Sequence, residues 1–473
     1  MPFAAAYRAD PVFERLGPEF ADPVAPAAFP EATIRFRNQR AAASVGLDTL
    51  TDREWRAHFA RFEPLEGNQP TPLAMRYHGH QFRVYNPDLG DGRGFLFAQL
   101  REARTWRLLD LGTKGSGRTP WSRGGDGRLT LKGGVREVLA TAMLEALGVP
   151  TSRSFSLIET GEALQRGDEP SPTRSAVLTR LSWSHIRFGT FQRHAASDRA
   201  DLVAALVDHV IAFYYPALHG VENPAAALLA AVVARAATLT AAWMAAGFVH
   251  GVLNTDNMNI TGESFDYGPY RFLPRNDPDF VAAYFDSGGL YSFGRQPEAV
   301  FWNLRQLAGA LACVATDTAP LAEALNGFSA AYRGALGAAM VRRLGLASRS
   351  AAEDGDLANA AFRALAAGGA ALRWEPFFFD WFCGAASESR ALAGPRGALY
   401  RGDAFAAFRA AMARHAPDRP ERLNGAGFAR PEPVELLIDE IEALWSRIAD
   451  ADDWVPFHAK LAAIEEAREG WGF

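Results

Sequence analysis

Residues 250–268, HGVLNTDNMNITGESFDYG, constrain the fold of this chain more than any other stretch. They place Asp256 and Asn257 side by side, with Asp266 ten positions after Asp256. Carboxylate and amide oxygens are hard donors, and Mg²⁺ usually takes one or two carboxylates while water and phosphate oxygens complete its octahedron. An asparagine and an aspartate at this separation, each beside a short apolar segment, therefore predict a Mg²⁺ site next to the phosphates of a nucleotide.

The same stretch follows the pattern of the catalytic loop and metal-binding turn of kinase-like folds, except at one position. In a loop of the form H-G-D-x-x-x-x-N, the aspartate that acts as the base stands two residues after the histidine and five before the asparagine. Counted from His250 and back from Asn257, both intervals lead to Val252. An apolar side chain cannot accept a proton from an attacking hydroxyl, and Asp256 is the nearest carboxylate that could substitute.

The composition, with 48% apolar and 22% charged residues, is that of an ordinary globular protein. A formal net charge of -5 argues against a protein that coats nucleic acid, because that role needs a strong basic excess. No secretory signal is apparent, and the most apolar stretch, residues 225–246, is interrupted by polar side chains, so we expect a cytoplasmic protein without a membrane span. We also expect a monomer. Cys313 and Cys383 are too few for a disulfide framework.

A glycine-rich loop precedes a predicted β-hairpin in the first half of the chain. The apolar runs 95–100 and 106–111 are joined by a polar turn, which is typical of two antiparallel strands, and the second strand ends near Lys114. The loop at residues 90–94, GDGRG, enters this hairpin. Glycine lets the backbone approach a phosphate and lets successive N–H groups point at one anion, although most glycine-rich turns only turn the chain.

Lys114 stands where kinase-like folds place the lysine that contacts nucleotide phosphates, and such a lysine needs a carboxylate to orient it. The helical pattern over residues 135–147 supplies Glu137 in its first turn. We therefore predict an ion pair between Lys114 and Glu137. The alternative is that Glu137 is present because the helix dipole favours a glutamate near a helix N-terminus.

Further basic and glycine-rich signals flank this helix. Residues 115–128 contain five glycines and three arginines and resemble a second phosphate-binding loop. Arg180 and Arg187 bracket a segment that follows two predicted strands, and a guanidinium offers a planar fork of donors to phosphate oxygens. Salt-bridged or solvated arginines remain the alternative. His78 and His80 form a weak candidate metal pair, because no third ligand stands nearby.

The pattern along the chain is of the α+β class, and we expect a two-lobed protein-kinase-like fold. Residues 1–70 are expected as an N-terminal arm, and residues 71–190 as a first lobe with the glycine-rich loops, the strands and the Lys–Glu helix. Residues 191–320 are expected as a second lobe with the metal and catalytic loop, and residues 321–473 as a helical C-terminal extension. Within the second lobe we predict a short strand at residues 258–260.

Taken together, these motifs resemble the selenoprotein O (SelO) family, the pseudokinase-fold protein adenylyltransferases. The resemblance spans about residues 70–310, in order and at sensible spacing. It rests on YHGHQF, LGDGRG, TKGSGRTPWSRGGDGR, the VRE helix, LTRLSWSHIRFG, HGVLNTDNMNITGESFDYGP and FGRQP. His78 and Arg83 depart from the family pattern, where smaller residues are expected, and the region after about residue 320 is unmatched.

The resemblance implies an enzyme that binds ATP in the reverse of a kinase's orientation and transfers AMP to Ser, Thr or Tyr hydroxyls of proteins. Asn257 and Asp266 would bind Mg²⁺ or Mn²⁺, Glu137 would pair with Lys114, and Asp256 would accept the proton. The residues implied to hold the nucleotide are Gly90, Gly92, Arg93, Lys114, Asp126, Gly127, Arg180, Arg187 and, through the metal, Asp266. Two alternatives stay open, a kinase with a displaced base and a catalytically dead nucleotide-binding scaffold.

Overall fold

The structure, a computed structural model, describes residues 3–167 and 169–473 and has a mixed α/β architecture. The strands are short except for β9 and β10. In chain order they are β1 (Ala21–Pro23), β2 (Thr33–Arg37), β3 (Leu73–Met75), β4 (Gly79–Gln81), β5 (Val84–Asn86), β6 (Leu96–Arg101), β7 (Leu108–Lys114), β8 (Leu129–Thr130), β9 (Arg153–Leu164), β10 (Thr173–Ser182), β11 (Phe248–Val249) and β12 (Arg271–Phe272).

Helices dominate the chain after β10. In chain order the helices are α1 (Gln39–Ser44), α2 (Asp52–Phe59), α3 (Leu131–Ala146), α4 (Phe188–Ala196), α5 (Ala200–Tyr214), α6 (Pro224–Ala245), α7 (Gln296–Leu311), α8 (Ala319–Asn326), α9 (Phe328–Arg343), α10 (Ala351–Gly368), α11 (Trp374–Asp380), α12 (Glu388–Ala393), α13 (Asp403–Met412), α14 (Ala426–Ala429), α15 (Ile438–Ala451) and α16 (Val455–Trp471).

The main sheet is antiparallel, with strand order β1-β3-β6-β7-β10-β9-β2 and β8 added beside β10. The hairpin predicted from the two apolar runs is confirmed, because β6 pairs with β7. All seven residues of β7 are buried, as expected for a strand at the centre of a sheet. In the ladder between β7 and β10, Lys114 is opposite Leu178 and Gly112 is opposite Arg180, so the two basic residues lie on neighbouring strands.

The N-terminal 70 residues do more than lie against the sheet, because they supply both of its edge strands. β1 pairs with β3 at one edge, and β2 pairs with β9 at the other. Their sequences gave no strand signal as strong as that of the hairpin, since β1 is only three residues long and every residue of β2 is partly exposed. Edge strands of this kind are selected by pairing with a neighbour more than by their own periodicity.

Helix α3, which carries Glu137, begins earlier than the apolar pattern predicted. Thr130 caps it by accepting a hydrogen bond from the Gly133 amide, so the helix includes two glycines that weaken the local helix signal. A Cβ on Gly134 would lie 2.4 Å from Leu157 Cδ1. The glycine is therefore needed for close packing of α3 against β9.

The long apolar helix α6 is a core helix. Asn223 caps it by accepting a hydrogen bond from the Ala226 amide, and Pro224 occupies its first turn. It is the one helix of the described residues that is long and apolar enough to cross a membrane, and 67% of its most apolar window is buried inside the protein.

The predicted short strand at residues 258–260 is wrong. The segment makes only an isolated bridge, between Arg187 and Asn259, with hydrogen bonds from the Phe188 and Ile260 amides to the Met258 and Ile186 carbonyls. Two bonds of this kind are too few for a regular strand. The pairing nevertheless fixes the backbone of Arg187 against the loop that contains Asp256. A separate pair, β11 with β12, closes the two ends of the segment that runs from His250 to Tyr270.

Candidate active site

A cavity of about 630 Å³ lies where the sheet meets the helical part of the chain. Its size is that of a small-molecule site. Eleven of the twelve residues predicted as functional from the sequence line this cavity, and Glu137 is the exception. The eleven are Gly90, Gly92, Arg93, Lys114, Asp126, Gly127, Arg180, Arg187, Asp256, Asn257 and Asp266.

The carboxylate of Asp266 is the electrostatic centre of the site. Its Oδ1 accepts hydrogen bonds from Lys114 Nζ at 2.7 Å and from Arg180 Nη1 at 3.4 Å, and its Oδ2 lies 4.0 Å from Arg187 Nη1. Burial alone would raise the pKa of Asp266, but these three cations outweigh it and hold the pKa well below its usual value. Asp266 is therefore a fixed anion at neutral pH.

The backbone of Asp266 is also unusual. Its φ of 65° lies in the left-handed region, which only glycine, asparagine and aspartate adopt with any frequency. Such conformations cost of order 1 kcal/mol and persist where the surroundings determine them. Here the three cations hold the side chain, and His250 Nε2 lies 3.0 Å from the Phe265 carbonyl oxygen one residue earlier.

Lys114 and Glu137 form the predicted ion pair through a short contact between Nζ and Oε1. Both side chains are buried, with Glu137 1% exposed. Glu137 Oε2 also lies 3.9 Å from Arg180 Nη1. Because a buried unpaired cation is costly, the carboxylates of Glu137 and Asp266 compensate the buried side chains of Lys114 and Arg180. Arg180 and Arg187 thus belong to an ion-pair network inside the cavity. Their positions in the sequence alone had not distinguished this from solvated side chains.

Asp256 lies in a 3-10 turn, Thr255–Asn257, and is 9% exposed. Its Oδ1 has no hydrogen-bond partner within residues 3–167 and 169–473. Burial raises the pKa of Asp256 to about 6, against the charge of Arg187, which lowers it. Val252, which occupies the position of the usual base, also lines the cavity. Asp256 can therefore exist in either protonation state close to neutral pH.

Asn257 and Asp266 bring together two oxygen donors of the kind that can bind a divalent cation. Asn257 Nδ2 lies 3.2 Å from Asp266 Oδ2, so the amide and the carboxylate can contribute one oxygen each to the same ion once the amide is rotated. The described residues contain no cluster of three or more His, Cys, Asp or Glu side chains that could hold a metal. Amide and carboxylate oxygens are hard donors, which suit a divalent cation whose other ligands are water or phosphate oxygens. The chemistry of the donors fits such an ion.

The two glycine-rich loops pack against each other. This contact, and not only approach to a phosphate, explains why glycine is needed in the first loop. A Cβ on Gly90 would lie 2.3 Å from Trp121 Cγ, and one on Gly92 would lie 2.8 Å from the Trp121 carbonyl oxygen. Ser122 Oγ donates to the Gly92 carbonyl at 2.6 Å. In these two positions, glycine is required by contact between the loops, and the paired loops together form one wall of the cavity.

Asp126 and Gly127 lie in the second loop and line the cavity. Asp126 Oδ2 accepts a hydrogen bond from Arg166 Nη1 at 2.8 Å, and its Oδ1 accepts one from the Arg128 amide at 2.9 Å. Gly127 has a φ of 71°, and a Cβ there would lie 2.2 Å from the backbone of Gly117. These contacts fix the conformation of the second loop, so the structure shows a positioning role for Asp126.

Two exposed arginines, Arg93 and Arg123, line the cavity and have no hydrogen-bond or ion-pair partner for their side chains among the described residues. Arg93 was predicted from the sequence, whereas Arg123 was missed as an individual residue although its loop was singled out. An unpaired guanidinium in a cavity is suited to a phosphate group. The signal that could have found Arg123 was its place in the glycine-rich loop.

The hairpin β4–β5 supports the loop that carries Asp256, a role that sequence reasoning missed. The His80 amide donates to Thr255 Oγ1 at 2.7 Å, and the Phe82 amide donates to Asn254 Oδ1 at 3.0 Å. Gly79 approaches so closely that a Cβ there would lie 3.2 Å from Asp256 Oδ1. The backbone of the segment that contains His80 and Phe82 therefore positions the loop that carries Asp256.

The side chains of His78 and His80 have partners other than a metal. His78 Nδ1 lies 2.6 Å from the Tyr85 hydroxyl and its Nε2 lies 2.9 Å from Arg193 Nη1, while His80 Nδ1 lies 2.8 Å from Gln192 Nε2.

Asp91, which lies between Gly90 and Gly92, was also missed by the sequence analysis. Its Oδ1 lies 3.5 Å from Arg187 Nη2, and its Oδ2 accepts a hydrogen bond from the Met75 amide.

Comparison with known proteins identifies the family of this chain. The family model described as "Protein adenylyltransferase SelO" matches residues 4–465. A protein of Synechococcus elongatus named "Protein nucleotidyltransferase YdiU" is 56% identical over 338 residues, which cover 71% of this chain and 68% of that protein. A protein of the same name from Gloeobacter violaceus is 47% identical, over 97% of this chain and 95% of that protein.

The fold, the site and these similarities define an enzyme of the nucleotidyltransferase class. The match extends beyond the sequence motifs into the N-terminal and C-terminal segments. This chain belongs to the SelO family of protein adenylyltransferases.

Proposed function

We propose that this enzyme transfers AMP from ATP to Ser, Thr or Tyr hydroxyls of other proteins in a Mg²⁺-dependent reaction, with ATP reversed relative to its orientation in kinases. One observation carries the proposal. The cavity contains the cations and the metal-binding pair of a phosphotransfer site, but Val252 lines it in place of the usual base. The proton acceptor must therefore lie at a different position from the base of a kinase. Membership of the family supports AMP as the group transferred.

We also propose that the chain has a two-lobed, protein-kinase-like arrangement. In this arrangement residues 71–190 form the first lobe and residues 191–320 the second, with residues 1–70 and 321–473 as extensions. A lysine on a central strand paired with a glutamate on a long helix, above a cavity that faces an Asn–Asp pair, supports it. The edge strands contributed by residues 1–70 attach this segment to the first lobe.

In the proposed reaction, Lys114, Arg180 and Arg187 stabilise negative charge on the phosphates, because they already converge on one side of the cavity. Arg93 and Arg123 bind phosphate oxygens at the more exposed side. Asn257 and Asp266 would hold the divalent cation, which when bound supplies positive charge to the phosphate oxygens. The residues of the chain thereby orient the α-phosphate toward the acceptor.

The acceptor hydroxyl oxygen forms a bond to the α-phosphorus, and the bond from this phosphorus to the bridging oxygen of pyrophosphate breaks. The proton of the hydroxyl passes to the Asp256 carboxylate, and pyrophosphate leaves with the electron pair of the broken bond. Asp256 lines the cavity next to the Asn257–Asp266 pair, so it is within the same local environment as the proposed reacting phosphate. Arg187, whose Nη1 donates to the Asp256 carbonyl at 2.7 Å, fixes the turn.

The test uses ATP labelled on either the α- or the γ-phosphate, with Mg²⁺ and a mixed protein extract as the acceptor. We expect protein-bound label from α-labelled ATP and none from γ-labelled ATP. Label from the γ position alone would establish phosphoryl transfer and overturn the proposal. Label from neither position, with ATP still bound, would identify a nucleotide-binding role without transfer under these conditions. A reaction with excess chelator is the control for the metal requirement.

A further inference from the structure

A second cavity, of about 760 Å³, lies on another part of the molecule. Of the residues that the structure describes, none lines both cavities. Its walls come from the turn between β6 and β7, the start of β9, helix α6, the segment before Asp266 and the last turn of α16. We refer to it as the arginine-lined cavity, because six arginines line it: Arg40, Arg104, Arg107, Arg153, Arg235 and Arg468.

Two of these arginines are compensated by carboxylates at the edge of the cavity. Arg40 Nη1 donates to Glu145 Oε1 at 3.0 Å, and its Nε lies 3.3 Å from Glu465 Oε1. Arg468 Nη2 lies 2.7 Å from the same oxygen of Glu465. These two arginines and two glutamates form a balanced group, which explains them as parts of the fold.

Two further arginines share a single carboxylate. Glu102 is buried, with Arg107 Nη2 3.0 Å from its Oε2 and Arg153 Nη1 3.3 Å from its Oε1. The contact to Arg153 is longer than the 2.7–2.9 Å of a good charge-assisted hydrogen bond. Within ion-pair distance, this single carboxylate therefore faces two guanidiniums.

Arg235 has no carboxylate within 4 Å in the described part of the chain. Its guanidinium lies 4.1 Å from the ring centroid of Trp183 and 4.7 Å from that of Tyr215, and its one hydrogen bond is a 3.4 Å contact from Nη1 to the Thr261 carbonyl. Burial lowers the pKa of Arg235, and the charge of Arg107 acts in the same direction. The aromatic rings hold the guanidinium in place while its other donors remain available.

Arg107 adds to this local excess, because its guanidinium lies 5.1 Å from the same Trp183 ring. Arg104 is exposed at the rim of the cavity and has no ion-pair partner within residues 3–167 and 169–473. The remaining acidic residue of the wall, Glu263, accepts a hydrogen bond from the Trp183 amide at 2.7 Å and lies within 4 Å of no cation among the described residues. Burial raises the pKa of Glu263 to about 7, while the charges of Arg153 and Arg107 lower it, so this carboxylate acts on both arginines from beyond ion-pair distance.

The arrangement is more than a structural salt-bridge network. Three carboxylates, Glu102, Glu145 and Glu465, pair with four of the six guanidiniums, and the other two have no acidic partner. Like charges gathered in a concave site repel one another, and an anion relieves that repulsion while accepting several hydrogen bonds. The volume of the cavity is sufficient for a small-molecule ligand.

We propose that the arginine-lined cavity binds a small phosphate-bearing anion, with Arg235, Arg107 and Arg153 as the principal ligands. Planar guanidiniums held by aromatic rings and by a shared glutamate present their donors in fixed directions, as recognition of phosphate oxygens requires. The site is separate from the nucleotide cavity and its existence does not depend on the proposed transfer reaction.

The test is isothermal titration calorimetry of inorganic pyrophosphate into the full chain, at constant ionic strength and with chelator present to remove divalent cations. We expect binding by the unmodified protein and binding at least about tenfold weaker in Arg235→Gln, since a charge-assisted contact to phosphate is lost. Arg107→Gln is a second variant for the same wall. Arg305→Gln is the matched control, because Arg305 is exposed on α7 and lines neither cavity; its affinity for pyrophosphate should stay within about twofold of the unmodified protein.

Arg187→Gln separates the two cavities. If pyrophosphate binds in the arginine-lined cavity, an interaction remains in Arg187→Gln and is weakened in Arg235→Gln and Arg107→Gln. Loss of all binding in Arg187→Gln, with no change in Arg235→Gln and Arg107→Gln, would place the anion in the nucleotide cavity and overturn the proposal. Absence of binding to the unmodified protein would also overturn it. Thermal unfolding without anion checks that each variant is folded, and failure of AMP transfer would leave these outcomes unaffected.

Discussion

The surroundings of Asp266 and of Asp256, at two points of the same loop region, give the same side chain opposite properties. Asp266 accepts hydrogen bonds from Lys114 and Arg180, and its pKa is held well below the usual value. Asp256 has an oxygen without a hydrogen-bond partner in the described residues, and burial raises its pKa to about 6. Burial penalises both charges, so it is the number of neighbouring cations that decides which carboxylate is a permanent anion.

The comparison also extends to the backbone. Asp266 is held at φ 65°, whereas Asp256 lies in a turn that the amides of the neighbouring hairpin support through Thr255 and Asn254. A fixed anion in a fixed conformation suits a metal ligand, and a carboxylate that can change its protonation state suits a proton acceptor. Four predictions, made on three variants, can break or sharpen this difference.

Asp266→Asn should have the largest effect. It removes the charge shared by Lys114, Arg180 and the proposed cation, while asparagine tolerates the positive φ, so the backbone is not the cause of a loss. We expect AMP transfer to fall by at least about 10³-fold, measured with α-labelled ATP. Asp279→Asn is the control, because Asp279 is exposed in a later segment. Retention of most of the activity in Asp266→Asn would remove Asp266 from the metal site.

Asp256→Asn should lower the rate of AMP transfer and leave the affinity for nucleotide nearly unchanged. A general base contributes about 10²- to 10⁴-fold, so we expect kcat to drop by at least about 10²-fold. The affinity for nucleotide should change by no more than about twofold, since Asp256 makes no contact with Lys114 or Arg180 in the ion-pair network around Asp266. Nucleotide binding is measured by calorimetry on the same samples. Equal losses of rate and affinity would make Asp256 a binding residue.

The same substitution should stabilise the metal-free protein at neutral pH. The pKa of Asp256 rises on folding from an ordinary 3.8 to about 6, so between these values the folded state binds more protons and loses stability as pH rises. The cost is about 3 kcal/mol above pH 6. We expect Asp256→Asn to gain about that amount at pH 7.5 and about half of it at pH 5, measured by urea unfolding with chelator present. A gain that does not depend on pH would have another origin.

Gly79→Ala should have the smallest effect and tests the support of Asp256 by the β4–β5 hairpin. The added Cβ would lie 3.1 Å from Thr255 Oγ1 and 3.2 Å from Asp256 Oδ1, so the turn must shift by a few tenths of an ångström. We expect a rate about three- to tenfold lower, because catalysis is sensitive to small displacements. Gly288→Ala is the matched control, since a Cβ there meets no described atom within 4 Å. Equal rates in the two variants would contradict the supporting role.

Local sequence patterns predicted the β6–β7 hairpin and the helix that carries Glu137, because alternating and helical apolar positions are displayed directly by a single sequence. The Lys114–Glu137 pair was predicted by comparison with kinase-like folds. The start of α3 was missed because two glycines hide its first turn, and the short strand at residues 258–260 was wrong because its partner is a single bridge at Arg187. At the start of α3 and at residues 258–260, contacts with residues distant in the sequence outweighed the local secondary-structure preference.

By itself, the sequence of this protein determined which residue types meet at the candidate site, including Val252 where a base is usual and Asp256 as the nearest carboxylate. Tertiary structure alone decided their electrostatic roles. Arg180 and Arg187 could have been solvated, yet folding brings both toward Asp266. Arg235 has no acidic partner in the described chain although arginines usually find one. Charge–charge energies depend on distance and burial, and both are set by residues far apart in the chain.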